Sequence, residues 1–236
     1  MKRLLRFTFG FALLIATAAG LLAVWLGQTR VSAAGLPPLK TGDIVFQTSG
    51  HAQSNAIGLA SFSLYTHTAL IEVDAKGHAS AVEAVGPVKT TPLDQWITRG
   101  EGGRITVKRL KGLDETAARK ALKAAHVYDG RPYDPFFYSG RDAIYCSELV
   151  HLAFQEGAGI AIGKEEKVKD LHIDNAAVRA LIEARWRQHP MCINAKAATF
   201  KACYALILEQ TLVTPASVAR DPKLETVYSN FGFAGD

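Results

Sequence analysis

The chain has 236 residues, enough to bury one sizeable core, and a formal net charge of +5 from 27 basic and 22 acidic side chains. Four of the basic residues (Lys2, Arg3, Arg6 and Arg30) and no acidic one fall within the first 34 positions, so the remainder carries 23 basic against 22 acidic residues and is close to neutral. No basic stripe is interleaved with aromatics, which excludes a nucleic-acid partner.

Residues 1–34 read as a signal peptide or a membrane anchor. Lys2, Arg3 and Arg6 precede an uncharged apolar run from Phe7 to Gly27. Val31-Ser32-Ala33 and Ser32-Ala33-Ala34 are small-residue patterns suited to cleavage. The run is also about long enough to cross a bilayer as a helix that stays in place. On both readings the basic end remains cytoplasmic and the rest is exported to the periplasm or cell envelope. An uncleaved segment would hold the protein at the inner membrane through residues 7–27. Residues 35–41, with Pro37 and Pro38, form a linker, and residues 42–236 a single domain.

Gly42-Asp43 is turn material ahead of a short strand through Gln47, and Asp43 is read as a turn residue. Ala56 to Phe62 is a short helix. Thr66 to Val73 and Ala79 to Val85 are the arms of a hairpin, with Asp74 to Gly77 as its turn. Pro87 to Ile97 reads as a loop and a short helix anchored by Trp96. Arg104 to Leu110 alternates as a half-buried strand does. Asp114 is the expected N-cap of a helix reaching Tyr128, with Ala117, Ala118, Ala121, Leu122 and Ala125 as its small-residue face. A further helix is expected over Asn175 to Gln188, and Thr214-Pro215 has the form of a helix start. Residues 192–210 carry no decisive pattern. Strands and helices without βαβ regularity indicate an α+β fold, a small antiparallel sheet packed by helices.

Three cysteines are present. Cys192 and Cys203 lie close in sequence, and an oxidising compartment would let them pair. Cys146 is then the odd thiol. It lies in Tyr145-Cys146-Ser147-Glu148, where a loop passes into an amphipathic helix that Gly157 and Gly159 end. A cysteine in the first turn of a helix meets unpaired N–H groups and the positive end of the dipole, which favour the reactive thiolate. The alternative is a small buried core cysteine. No CxxC or HExxH spacing occurs, so neither a metal nor an organic cofactor is expected.

A nucleophilic thiol needs a base and a group that orients the base. Of the seven histidines, His151 shares the helix of Cys146 and lies too far along it. His51, His78, His126, His172 and His189 fall in turns, helix ends or polar stretches. His67 is set in a strand, where a side chain is held rigidly. Glu83 lies in the apolar Ala81-Val82-Glu83-Ala84-Val85 of the opposite hairpin arm, and a carboxylate there needs a partner. An imidazolium supplies one; the alternative is an edge glutamate facing water.

These residues carry a resemblance to a known family. Gly42-Asp43-Ile44-Val45-Phe46-Gln47-Thr48-Ser49, Gln53-Ser54, Tyr65-Thr66-His67-Thr68, Glu83-Ala84-Val85-Gly86-Pro87-Val88-Lys89, Thr91-Pro92-Leu93, Gln95-Trp96-Ile97 and Tyr145-Cys146-Ser147-Glu148 resemble the YiiX/YebB family. Its members are permuted papain-like cysteine hydrolases related to NlpC-type cell-wall peptidases and to lecithin–retinol acyltransferase-like enzymes. The resemblance runs from about Gly42 to Gly159 and is weaker beyond. It implies a circularly permuted papain-like (NlpC-type) fold, here preceded by an N-terminal apolar helix, in which His precedes Cys along the chain. It also implies Cys146 as nucleophile, His67 as base and Glu83 as orienter. Ala69 departs from the glycine usual after the His-x pair.

Around these, Tyr145 and Ser54 are candidate substrate-binding residues, with plain packing as the other reading of Tyr145. The backbone N–H of Cys146 is a candidate oxyanion donor, and Glu148 a structural cap. The expected function is an exported cell-envelope cysteine hydrolase that cleaves a peptide-type amide bond through an acyl-enzyme. The alternatives are a lipid or ester acyl hydrolase or acyltransferase on the same triad, or a non-catalytic envelope binding protein. Peptide and lipid substrates both remain open, because substrate does not follow from fold. Apolar residues around the cleft, between Gly50 and Tyr65, would favour lipid.

Overall fold

The computed structural model describes residues 30–50 and 52–232. The apolar run of residues 7–27 lies outside the described residues. Along the chain come β1 (Ile44–Gln47), α1 (Ala52–Ser61), β2 (His67–Val73), β3 (Ala79–Ala84), β4 (Val88–Pro92) and α2 (Leu93–Arg99). Then follow β5 (Thr106–Leu110), α3 (Glu115–His126), α4 (Cys146–Ala158), β6 (Glu165–Lys167), α5 (Ala176–Arg185), α6 (Pro190–Asn194), α7 (Phe200–Glu209), β7 (Thr211–Val213), α8 (Pro215–Ala219) and β8 (Leu224–Ser229).

Six strands form one sheet in the order β4-β3-β2-β1-β5-β8, every neighbour antiparallel. Both faces are covered. Ile44, Phe46, Leu70 and Val82 meet α3 and α4 on one side, and Val45, Ala69, Ile71 and Ala81 meet Leu93, Trp96 and Ile97 of α2 on the other. A sheet buried on both sides needs apolar residues at consecutive positions, which is why Ile44–Gln47 is buried throughout.

Residues 31–39 are packed rather than free as a tether. Val31, Ala33, Leu36 and Leu39 rest on the α2 side of the sheet, and the Ala33 N–H donates to Asp94 Oδ1 at 2.7 Å. Asp43 does more than turn the chain. It accepts from Arg109 Nε at 2.6 Å and from Arg109 Nη2 at 2.8 Å, and also from the Lys40 N–H.

The predicted helices form where their signals lie. Asp114, Asn175 and Thr214 cap α3, α5 and α8 by accepting from Ala117, Val178 and Ser217 N–H groups. Gly159 closes α4 in the left-handed conformation at φ 69°. Two edge strands escape the pattern. β4 runs through a segment read as loop, because an edge strand can carry Pro92 without losing a ladder bond. β8, the opposite edge, is mostly solvent-facing and lacks alternation. α1 begins four residues before the expected start at Ala56.

Residues 168–212 form a helical cap with a core of its own, built from Val168, Ile173, Val178, Ile207 and Leu212 together with Ala56. The pairing expected from sequence is present, and Cys192–Cys203 joins α6 to α7. Cys146 is free and buried.

Candidate active site

His67 opens β2, and Glu83 is the penultimate residue of β3. The pair Leu70↔Val82 fixes the register. One step further along, Glu83 is level with Ala69 and diagonal to His67, on the same face of the hairpin. That diagonal brings Glu83 Oε2 to 2.7 Å from His67 Nε2. Glu83 is fully buried. Thr91 of β4 donates to its Oε1 at 2.7 Å, and Arg99 at the end of α2 donates to its Oε2. A carboxylate buried in an apolar strand is tolerable only with partners of this kind. Trp96 stacks on the imidazole with ring centroids 5.9 Å apart, which holds its plane.

Cys146 is the first residue of α4 and only 2% exposed. The His67 imidazole and the backbone N–H groups of Thr68 and Ser147 are the groups that act on its sulfur. With Nε2 of His67 taken by Glu83, Nδ1 is the nitrogen left for sulfur. The N–H of Cys146 itself stands at the first helical position, where the helix has no carbonyl to offer it.

The charges follow from these contacts. Burial pushes the Cys146 thiol up, but the hydrogen bond and charge of His67 and the two N–H groups outweigh it and lower the thiol below its usual value. Burial also opposes protonation of His67. The hydrogen bonds and charges of Cys146 and Glu83 overcome this and raise the imidazole to about 9. For Glu83, burial is outweighed by His67, Arg99 and Thr91, which bring the carboxyl down to about 2. At neutral pH these contacts favour an imidazolium beside a carboxylate, and they shift the Cys146 thiol toward its thiolate.

The other expected residues sit differently. Tyr145 is buried behind the site, where its hydroxyl accepts from the Val213 N–H at 3.1 Å and its ring meets Phe137 edge-on. Ser54 is buried, with its Oγ 2.8 Å from Ser49 Oγ. Neither lines the cavity beside Cys146. Glu148 accepts from the Tyr145 N–H at 3.4 Å, as a helix cap does, and burial raises its carboxyl to about 7. His151 is structural, bonded to the Ile162 carbonyl at 2.7 Å. His51 lies outside the described residues.

Sequence reasoning missed Arg99 and Thr91. The only signal was the demand of Glu83 for partners, which names no residue. Gln47 was missed too. It is paired with His67 across β1 and β2 and fully buried, and among the described residues neither carboxamide atom has a hydrogen-bond partner.

A cavity of about 890 Å³, counting its open mouth, reaches Cys146 and Ser147 from the side of α1 and the cap. Its walls are almost wholly apolar, with Phe136, Ile173, Val178, Leu181, Ile207 and Leu212 prominent.

The chain matches a family model described as "Permuted papain-like amidase enzyme, YaeF/YiiX, C92 family" over residues 38–228. It is 36% identical over 189 residues to the "Uncharacterized protein YiiX" of Escherichia coli strain K12, covering 80% of this chain and 85% of that one. It also superposes on a solved structure with a TM-score of 0.71 at 36% identity, covering 82% of this chain and 98% of the other. That structure is described as "Crystal structure of metalloprotein yiiX from Escherichia coli O157:H7, DUF1105". In this chain no group of three His, Cys, Asp or Glu side chains among the described residues is arranged to hold a metal ion. The Nε2 of His67 is moreover committed to Glu83. The donor set among the described residues does not fit a metal.

Proposed function

We propose that this chain, which belongs to the permuted papain-like amidase family (YaeF/YiiX, C92), is an exported cell-envelope cysteine hydrolase that cleaves an amide bond with Cys146, His67 and Glu83. The carrying observation is the buried line of Glu83, His67 and Cys146, with the thiol lowered and the imidazole raised to about 9.

The thiolate of Cys146 attacks the carbonyl carbon and a carbon–sulfur bond forms. Negative charge grows on the carbonyl oxygen, within the field of the α4 N-terminus and its Cys146 N–H. The carbon–nitrogen bond then breaks as the His67 imidazolium gives its proton to the departing amine. Neutral His67 next takes a proton from water, whose oxygen attacks the thioester. The acid leaves, and the thiolate–imidazolium pair is restored. Glu83 stays ionised throughout, orienting the ring and stabilising its charge. Arg99 and Thr91 position Glu83.

Export is supported by the basic-then-apolar N-terminus and by the Cys192–Cys203 disulfide, which belongs to an oxidising compartment. The test is exposure of the protein to envelope extracts followed by mass analysis of the Cys146 peptide. A trapped acyl adduct on wild type, absent from His67→Ala, is the expected result. An unmodified thiol that reacts with iodoacetamide no faster than free cysteine would instead mark an envelope binding protein.

A further inference from the structure

We propose that the apolar ridge made by Leu59, Phe62 and Leu64 rests on the surface of the bilayer that residues 7–27 enter, so that the domain sits on the membrane in one orientation. This takes residues 7–27 as a retained anchor and does not depend on the hydrolase reading.

The first argument is the ridge itself. α1 ends in a turn closed by the Ser63 N–H, which donates to the Gly58 carbonyl at 3.0 Å. Phe62, inside that turn, has φ 50°. Glycine is the usual residue there, because a side chain crowds its own backbone in this conformation. Here the position carries a phenylalanine that is 78% exposed, and Leu59 and Leu64 beside it are exposed as well. The turn is braced from within. Arg220 Nη2 donates to the Phe62 carbonyl at 3.0 Å and its Nη1 to the Ser61 carbonyl, while the His172 ring lies 5.5 Å from the Phe62 ring. Folding does not ask for an exposed aromatic on a strained, braced turn; an apolar phase outside the domain does.

The second argument is reach. The apolar run ends at Gly27. Arg30 already packs on the domain, since a Cβ on Gly103 would stand 3.0 Å from Arg30 Cγ. Three residue steps span at most about 10 Å, so the surface around Gly103 is held within about that distance of the end of the run. The next residues do not lengthen the tether, because Val31 and Ala33 pack on the sheet and the Ala33 N–H donates to Asp94. Cleavage after Ala33 or Ala34 would remove those contacts.

The third argument places the ridge at the same end of the sheet as Gly103. β1 and β8 end there, and β2 and β5 begin there. The Glu101 N–H donates to the Thr48 carbonyl at 2.9 Å, and Thr48 Oγ1 donates to the Leu64 carbonyl at 2.7 Å. Two hydrogen bonds thus join the turn Glu101–Gly103 to the ridge. Arg30 is exposed and Arg104 half-buried at this end, with Glu101 as an acidic neighbour. Basic residues flanking an apolar ridge suit a surface that carries anionic headgroups. His67 opens β2 at this end, so docking turns the active-site end of the sheet toward the bilayer.

Val127 supplies the comparison. It is 66% exposed and follows His126, whose Nε2 lies 3.5 Å from Glu72 at the far end of β2.

The experiment uses the full chain, reconstituted into vesicles of phosphatidylethanolamine and phosphatidylglycerol. Cys146→Ala removes the free thiol, and Phe62→Cys, Leu64→Cys or Val127→Cys then provides a single site for a nitroxide label. Collision with oxygen, which concentrates in lipid, is compared with collision with a nickel chelate, which stays in water. The labels on the ridge are expected to favour oxygen severalfold more than the label at the far end. Two ridge positions are used so that a variant that fails to fold leaves the other to decide. Equal water exposure at all three positions, in protein that floats with the vesicles, would overturn the ridge. Protein that does not float would remove the anchor and the proposal with it. Broadening between ridge labels that dilution with unlabelled chain abolishes would assign the ridge to a second copy of the chain, and would also end the proposal. None of these readouts uses the Cys146 thiol, so the hydrolase reading stands or falls separately.

Discussion

Glu83 and His67 are diagonal neighbours on one face of the β2–β3 hairpin, and Glu83 Oε2 lies 2.7 Å from His67 Nε2. The hairpin therefore holds two members of the site on one rigid element, and Cys146 comes from the N-terminus of α4. Ala69, the departure from the family pattern, is directly beside them and buried, level with Glu83. It packs into the apolar cluster with Trp96, and the His67–Glu83 contact is kept.

The coupling of His67 to Cys146 sets the first prediction. With His67 gone, burial is left as the dominant influence on the thiol and pushes it up. Iodoacetamide alkylation of Cys146 at neutral pH is expected to fall by roughly tenfold or more in His67→Ala. In wild type the rate should hold as pH drops below the range of ordinary thiols, because the lowered value keeps the thiolate populated. Parallel pH–rate curves for the two proteins would contradict the coupling.

Glu83→Gln keeps the size of the side chain and removes its charge. His67 then loses one of the two partners that raise it to about 9, so its titration moves down. Imidazole resonances followed by NMR against pH give the measurement. An unchanged midpoint would show that Cys146 alone sets the imidazole.

The same carboxyl links stability to acid. It titrates at about 2 when folded and at 4.5 ordinarily, so its contribution is present above 4.5 and is lost as pH falls through about 2. A difference of this size is worth on the order of 3 kcal/mol. Chemical unfolding between these two values should show a shallower acid limb in Glu83→Gln than in wild type. Identical limbs would mean that Glu83 is paired in the unfolded chain as well.

The Asp43–Arg109 pair provides a contrast, since it is as well made as the Glu83 pair and lies away from the thiol. Asp43 is 1% exposed. Asp43→Ala strands the partly buried Arg109 guanidinium and is expected to cost about 3 kcal/mol of stability. Cys146 alkylation should be unaffected. A variant that stays stable but loses thiol reactivity would move Asp43 into the site.

Gly157 is where α4 presses on α3. A Cβ there would stand 2.4 Å from the Lys120 carbonyl oxygen and 2.6 Å from Ala121 Cα, both backbone. Gly157→Ala must drive apart the helix that carries Cys146 and its neighbour, at about 2 kcal/mol. A lower melting temperature is the expected outcome, whereas an unchanged one would show that the helices slide freely.

Much of this was legible in the chain. Helix starts at Asp114, Asn175 and Thr214 are local chemistry, a side-chain oxygen three residues ahead of an orphan N–H, so no tertiary knowledge was needed. The hairpin and the helix position of Cys146 follow from periodicity and residue type, whereas the joint roles of His67, Glu83 and Cys146, in that order, are what the family resemblance implies. The free status of Cys146 follows once Cys192 and Cys203 pair. What folding alone decided is which distant groups share a volume. Arg99 and Thr91 reach Glu83 because α2 and β4 fold back over the hairpin. Tyr145 turned to the core because Val213 offered it an N–H. The cavity exists because α1 and residues 168–212 enclose the α4 N-terminus, and apolar residues more than a hundred positions apart face one another there. Periodicity shows that a side chain is buried. Only the packed chain shows what it is buried against, because burial energy depends on area and not on the identity of the neighbour.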